Sequence, residues 1–279
     1  MLRSFQIGKF FGIPLYLHPT FFLLPAWLLL TNGDAGMGIL FFLLLCLAGV
    51  FACVVLHELG HALMARWFGI ATESITLYPI GGVARLRRMS DKPFEEICIA
   101  LAGPAVNLVL ALLLAPLMIA TFGPESLYGF GVERFIKELL TANVALLLFN
   151  LLPCFPMDGG RVLRALLAWW KGQLRATEIA VRVGLVTAVF IACLSVPLHS
   201  PMPIVLAGFV LMAGQMELMG LRQREAQRRA APFALPIVEP VDATAEPRQP
   251  KEAFSGFAWD SRHRVWVQWH NGRPVAYWG

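Results

Sequence analysis

Residues 37–67 form one long apolar run. Near its far end, the stretch CVVLHELGHAL (Cys53 to Leu63) places His57, Glu58 and His61 within five positions. About 20 apolar residues suffice to cross the hydrocarbon of a bilayer. Ionisable side chains at that depth are costly and must face a protein interior or a watery cavity. A chain with this feature must fold as a membrane protein that shelters a polar site. Composition agrees: 57% of the 279 residues are hydrophobic and 15% are charged, whereas soluble domains carry about 25% charged residues.

Hydropathy marks about six spans, at roughly 14–32, 37–67, 94–121, 138–170, 176–196 and 201–220. No clean small-residue cleavage site follows the first, so it reads as an anchor. Lysine and arginine alternate between the connections. They are rich after the second span (Arg66, Arg85, Arg87, Arg88, Lys92) and after the sixth (Arg222, Arg224, Arg228, Arg229). They are absent from 33–36 and from the link PLHSPMP. The positive-inside rule then puts both termini in the cytoplasm. The net charge of +5 is explained by this topology, and no nucleic-acid partner is expected. The five cysteines all lie in apolar segments, where they read as reduced packing residues.

The expected fold is therefore an all-α polytopic membrane protein with about six transmembrane helices and a small cytoplasmic C-terminal tail. Past residue 220 the composition shifts. Residues 221–252 read as a basic helix extension followed by a Pro- and acid-rich linker. Residues 253–279 hold four of the eight tryptophans, and Asn271-Gly272 between alternating residues signals a β-hairpin. A lone hairpin is marginal, so this tail is expected to dock on something: a regulatory partner, the active site or the cytoplasmic face.

In a helix, His57 and His61 share one face, one turn apart. Two neutral imidazoles so spaced bind one Zn²⁺, with Glu58 beside them as a general base. A catalytic zinc takes three protein ligands and a water. The third is sought in span four, in NLLPCFPMDGGRVL (150–163), where Asp158 is the only acid in the deep half. Pro153, Pro156, Gly159 and Gly160 break the helix there, and broken backbone at membrane depth needs a protein or watery surround. Asp158 lies about 20 residues from the outer end of its span, as does His57. The competing reading is that Asp158 only caps the half-helix starting at Gly159.

HELGH in span two, AGPAVN in span three and NLLPCFPMDGGR in span four together resemble the site-2 protease family of intramembrane zinc metalloproteases, in the family's order. GIPLYLHPTFFL and ITLYPIGGVARL resemble its first span and its membrane-associated β-loop. The resemblance covers about residues 1–220 and implies one zinc per chain on His57, His61 and Asp158, with Glu58 as catalytic base. It implies peptide hydrolysis in or near the transmembrane segments of membrane-tethered regulatory proteins, in the lipid bilayer of a bacterial cell membrane. The short loops leave no room for a PDZ domain, and the tail is too short and Trp-rich for a CBS pair, so this is a minimal form.

A helical substrate must unwind to be cut. Residues 75–86 offer a strand edge for it, with Gly81 and Gly82 allowing close approach. Asn107 and Asn150 are candidates to hold substrate backbone or an oxyanion, against plain interhelical hydrogen bonding. Three further readings stay open. A prenyl-protein type of metalloprotease needs a downstream Glu ligand motif, which is not visible. A zinc transporter would line a path across the bilayer. A catalytically inactive relative would bind membrane proteins without cutting them.

Overall fold

Helix α2 (Gly36–Trp67) is the axis on which the other elements are arranged. The chain is seen in a computed structural model that describes residues 4–88, 90, 92–121, 131–230, 255–260 and 265–278. Before α2 come strands β1 (Phe5–Phe10) and β2 (Ile13–Leu17), a 3-10 turn at Pro19–Phe22 and the short helix α1 (Leu23–Thr31). After it come β3 (Thr72–Tyr78), β4 (Gly81–Leu86), α3 (Pro93–Thr121), α4 (Val132–Asn150), α5 (Asp158–Lys171), α6 (Gln173–Cys193), the single turn α7 (Ser195–Leu198) and α8 (Met202–Ala230).

Four helical segments are long and apolar enough to cross a membrane: Gly36–Trp67, Pro93–Ile119, Gln173–Pro197 and Pro203–Gln227. The protein is an integral membrane protein. Two of the six expected spans take another form. The region 14–32 is a strand, a 3-10 turn and a nine-residue helix, and nine residues rise only about 14 Å. Its start is drawn into a sheet because the alternation of IPLYL buries Ile13 and Leu15. The region 138–170 is two helices, α4 and α5, separated at 151–157 where Pro153 and Pro156 deny the backbone its helical hydrogen bonds.

The β-loop is correspondingly larger than expected. β1 to β4 form one four-stranded sheet in sequence order, with β2 and β3 parallel and the outer pairs antiparallel. Ile13, Leu15, Ile75 and Leu77 on its inner face pack against Phe51, Val54, Leu59 and Ala62 of α2. The sheet is thus clamped to the turn of α2 that carries HELGH. The 151–157 break is buried through Cys154 and Met157 against Ala188 and Ile191 of α6 and Ala207 and Val210 of α8.

The chain divides into two units, Met1–Gln227 and Arg228–Gly279. The second holds an antiparallel sheet of β5 (Gly256–Asp260), β6 (Val265–His270) and β7 (Arg273–Trp278). β6 and β7 are joined by Asn271 and Gly272, both at positive φ, the geometry of a type I′ hairpin turn. The proposed linker at 231–252 lies outside the described residues.

One buried ion cluster was not foreseen. Arg164 of α5 pairs with Glu96 of α3 and, at 2.5 Å, with Glu217 of α8. Its guanidinium also lies 5.4 Å from the Phe155 ring centroid. Glu96 stands in the first turn of α3 and also anchors α5. Removing one member of such a group leaves buried charge uncompensated. Arg164→Met is expected to lower stability by about 3–5 kcal/mol, read as a fall in the thermal unfolding midpoint in detergent, with Arg164→Lys intermediate.

Candidate active site

The hydrophobic contact between α2 and the sheet, and the packing of α3 across α2, determine where the imidazoles point. His57 is buried, and its Nδ1 donates to Asn107 Oδ1 at 2.5 Å. Asn107 is itself fully buried and passes the chain on, its Nδ2 donating to Asn143 Oδ1 at 3.0 Å. Asn143 Nδ2 in turn donates to Leu139 O at 2.8 Å and to Cys53 Sγ at 3.2 Å. His61 Nδ1 donates to the Ile99 carbonyl of α3 at 2.7 Å. Both Nδ1 partners are acceptors, so in its neutral form each imidazole carries its proton on Nδ1 and presents a bare Nε2 lone pair.

The two Nε2 atoms lie 3.0 Å apart. Asp158 Oδ2 lies 3.3 Å from the first and 3.2 Å from the second. That oxygen is buried and has no hydrogen-bond donor. Three lone pairs facing one another in a buried site repel unless a cation lies among them. Tetrahedral ligands about 2.0–2.1 Å from a zinc ion sit roughly 3.3 Å from each other, so the three atoms fit one zinc. Among the described residues, this trio is the group of His, Cys, Asp and Glu side chains able to hold a metal ion.

Asp158 is the first residue of α5, and Met157 is the residue that precedes the helix. Its carboxylate faces the imidazoles and is not the helix cap, although the helix N-terminus favours a negative charge there. α4 ends at Asn150, and the buried 151–157 turn delivers Asp158 to the two histidines.

Gly103 explains AGPAVN. A Cβ there would collide with the His61 ring and lie 2.7 Å from His57 Nε2. Gly82 of β4 faces Glu58: a Cβ would sit 2.6 Å from Glu58 Cγ and 3.2 Å from Oε1. The carboxylate of Glu58 is therefore wedged beside the outer strand of the sheet, half-buried and one helical step from His57.

The sequence profile of peptidase family M50 matches residues 45–130 and 115–191, which include all of these groups. The chain belongs to peptidase family M50. It is 37% identical over 187 residues to zinc metalloprotease MJ0392 of Methanocaldococcus jannaschii, covering 66% of this chain and 51% of that protein. It is 28% identical over 182 residues to stage IV sporulation protein FB of Bacillus subtilis, covering 65% and 57%. The chain spans about half the length of the first of these relatives. The solved site-2 protease from Methanocaldococcus jannaschii matches 77% of this chain and 95% of its own at 31% identity, with a TM-score of 0.56.

Within this M50 chain, His57, His61 and Asp158 meet at one point, and Glu58 and Gly82 meet beside it. Gly81 starts β4 at φ +139 with open space around it. Asn107 makes interhelical hydrogen bonds: both ends of its side chain are used, behind His57. Asn150 bonds back to Leu146 O of its own helix at 2.9 Å. Asn143 was missed, and its one signal was an amide in an otherwise apolar helix face.

Outer partners of ligating histidines typically carry 10–100-fold in metal affinity. Asn107→Leu is expected to weaken zinc binding by about that factor, measured by competition with a chelator. Gly103→Ala is expected to weaken it at least as much, because its methyl group occupies the space of the ligand nitrogens.

Proposed function

We propose that this chain is an intramembrane zinc metalloendopeptidase that hydrolyses peptide bonds in or near transmembrane segments of membrane-tethered regulatory proteins. Three converging ligand atoms beside a carboxylate and a sheet edge, in the C-terminal half of a helix apolar and long enough to cross a membrane, carry the reading. His57, His61 and Asp158 would hold a zinc ion, which would supply the Lewis acidity to activate water and polarise the scissile carbonyl. Glu58 is the general base: it takes the proton of the attacking water and delivers it to the leaving amine.

A transmembrane helix shields its carbonyls in internal hydrogen bonds, so the substrate must be drawn out as an extended strand. β4 is an outer strand of the four-stranded sheet and runs past Glu58 at Gly82. An unwound substrate segment adds to that edge, which aligns its carbonyls with the site. Gly81, where no side chain stands, lets the substrate backbone approach this edge closely, and Asn150, at the end of α4, is a further candidate to bind substrate backbone. Both termini lie in the cytoplasm of a bacterial cell membrane, by the charge pattern of the loops. Residues 1–220 form the protease domain, 221–252 the helix extension and linker, and 253–279 the tail.

The test compares zinc content and cleavage of single-span substrates in detergent. Glu58→Gln is expected to keep its zinc and lose cleavage by at least about 10²-fold. Gly82→Val is expected to displace Glu58 and lower cleavage with zinc unchanged. Wild-type cleavage by Glu58→Gln would remove Glu58 from the mechanism.

A further inference from the structure

The C-terminal sheet carries an aromatic face that nothing in the peptidase chemistry uses. Trp259 of β5 is paired with Trp266 of β6, which is paired with Trp278 of β7. Directly opposed residues in a sheet share a face, so the three indoles form one line across all three strands. Phe257, two residues before Trp259, lies on the same face. Trp259 and Trp266 touch edge to face with centroids 5.5 Å apart. Yet each ring is open to its surroundings: Trp259 and Trp266 are 50% exposed, Phe257 and Trp278 59%.

Half of four aromatic side chains is roughly 400 Å² of contiguous apolar surface, on the scale of the largest patch a monomer exposes and a mark of an interaction site. Three features identify what covers it. The residue type is indole, which prefers the headgroup zone of a bilayer, where its apolar body and N–H are both accommodated. The charge of 256–279 is positive, with Arg262, Arg264 and Arg273 against the single acid Asp260, which suits an anionic lipid surface. The sheet follows a membrane-crossing helix in the chain. Residues 231–255 separate this sheet from Ala230, the end of α8, whose apolar part is one of the membrane-crossing helices.

We infer that the sheet is an interfacial anchor whose Trp259–Trp266–Trp278 face rests on the headgroups of anionic phospholipids. Sheet binding holds the tail at the bilayer surface without a protein partner. This role is independent of the zinc chemistry.

The test uses the full-length protein labelled with 5-fluorotryptophan, in nanodiscs of phosphatidylcholine and phosphatidylglycerol. All eight tryptophans report, and single Trp→Phe variants assign their fluorine signals. The signals of Trp259, Trp266 and Trp278 are expected to lose most of their intensity when a phospholipid bearing a nitroxide near its headgroup is added. They are expected to keep most of it with an aqueous gadolinium chelate. In phosphatidylcholine alone, the nitroxide effect is expected to fall at least twofold. Broadening of all three by gadolinium, with no response to the nitroxide lipid, would overturn the proposal and leave the face to a protein partner. An equal response in both lipid mixtures would overturn the part assigned to charge.

Discussion

Two imidazole nitrogens and a carboxylate oxygen, each with a free lone pair, are held within 3.0–3.3 Å of one another in a buried site. That arrangement is repulsive without a cation, and most of the membrane unit serves to impose it. Asn107 and Ile99 fix the imidazole protons on the outward side. The absence of a side chain at Gly103 makes room for the rings. The 151–157 turn brings the carboxylate, and the Arg164 cluster ties α5, which begins with that carboxylate, to α3 and α8. Polar groups that would be a liability in hydrocarbon thus become mutually dependent: each is satisfied only when the others and a cation are in place.

The site was more legible in the sequence than the fold around it. HELGH and Asp158 stand out because ionisable residues in apolar runs have few structural uses. Helix periodicity was enough to put the histidines on one face. The second layer was less visible, because Asn107 looks the same whether it faces substrate or a histidine ring. Only packing decides, and α3 turns it toward His57. Arg164 was hidden by its position near a basic loop, where a positive charge needs no further explanation. Glu217, an acid within the apolar span of α8, was the signal that it had a partner.

The fold diverged where local patterns compete. In 14–32 the overall apolarity argues for a span, but the alternation of IPLYL and the prolines at 14, 19 and 25 favour a strand and a short helix. Pairing β2 in parallel with β3 requires a crossover, and α2 is that crossover. This non-local connection cannot be seen in either segment alone. It has a functional consequence, since the sheet stacked on α2 brings Gly82 against Glu58. In 138–170, hydropathy reads through a break that the prolines announce, because the intervening turn is itself apolar and buried.

Whether His57, His61 and Asp158 hold a zinc ion can be read by X-ray absorption at the zinc edge of the purified protein. One zinc per chain, with only nitrogen and oxygen neighbours at ~2.0–2.1 Å and an imidazole scattering pattern for two histidines, is the expected result. Asp158→Ala should lose the metal or show one fewer protein oxygen. A sulfur-coordinated zinc, or a spectrum unchanged by Asp158→Ala, would mean that these side chains do not hold the ion.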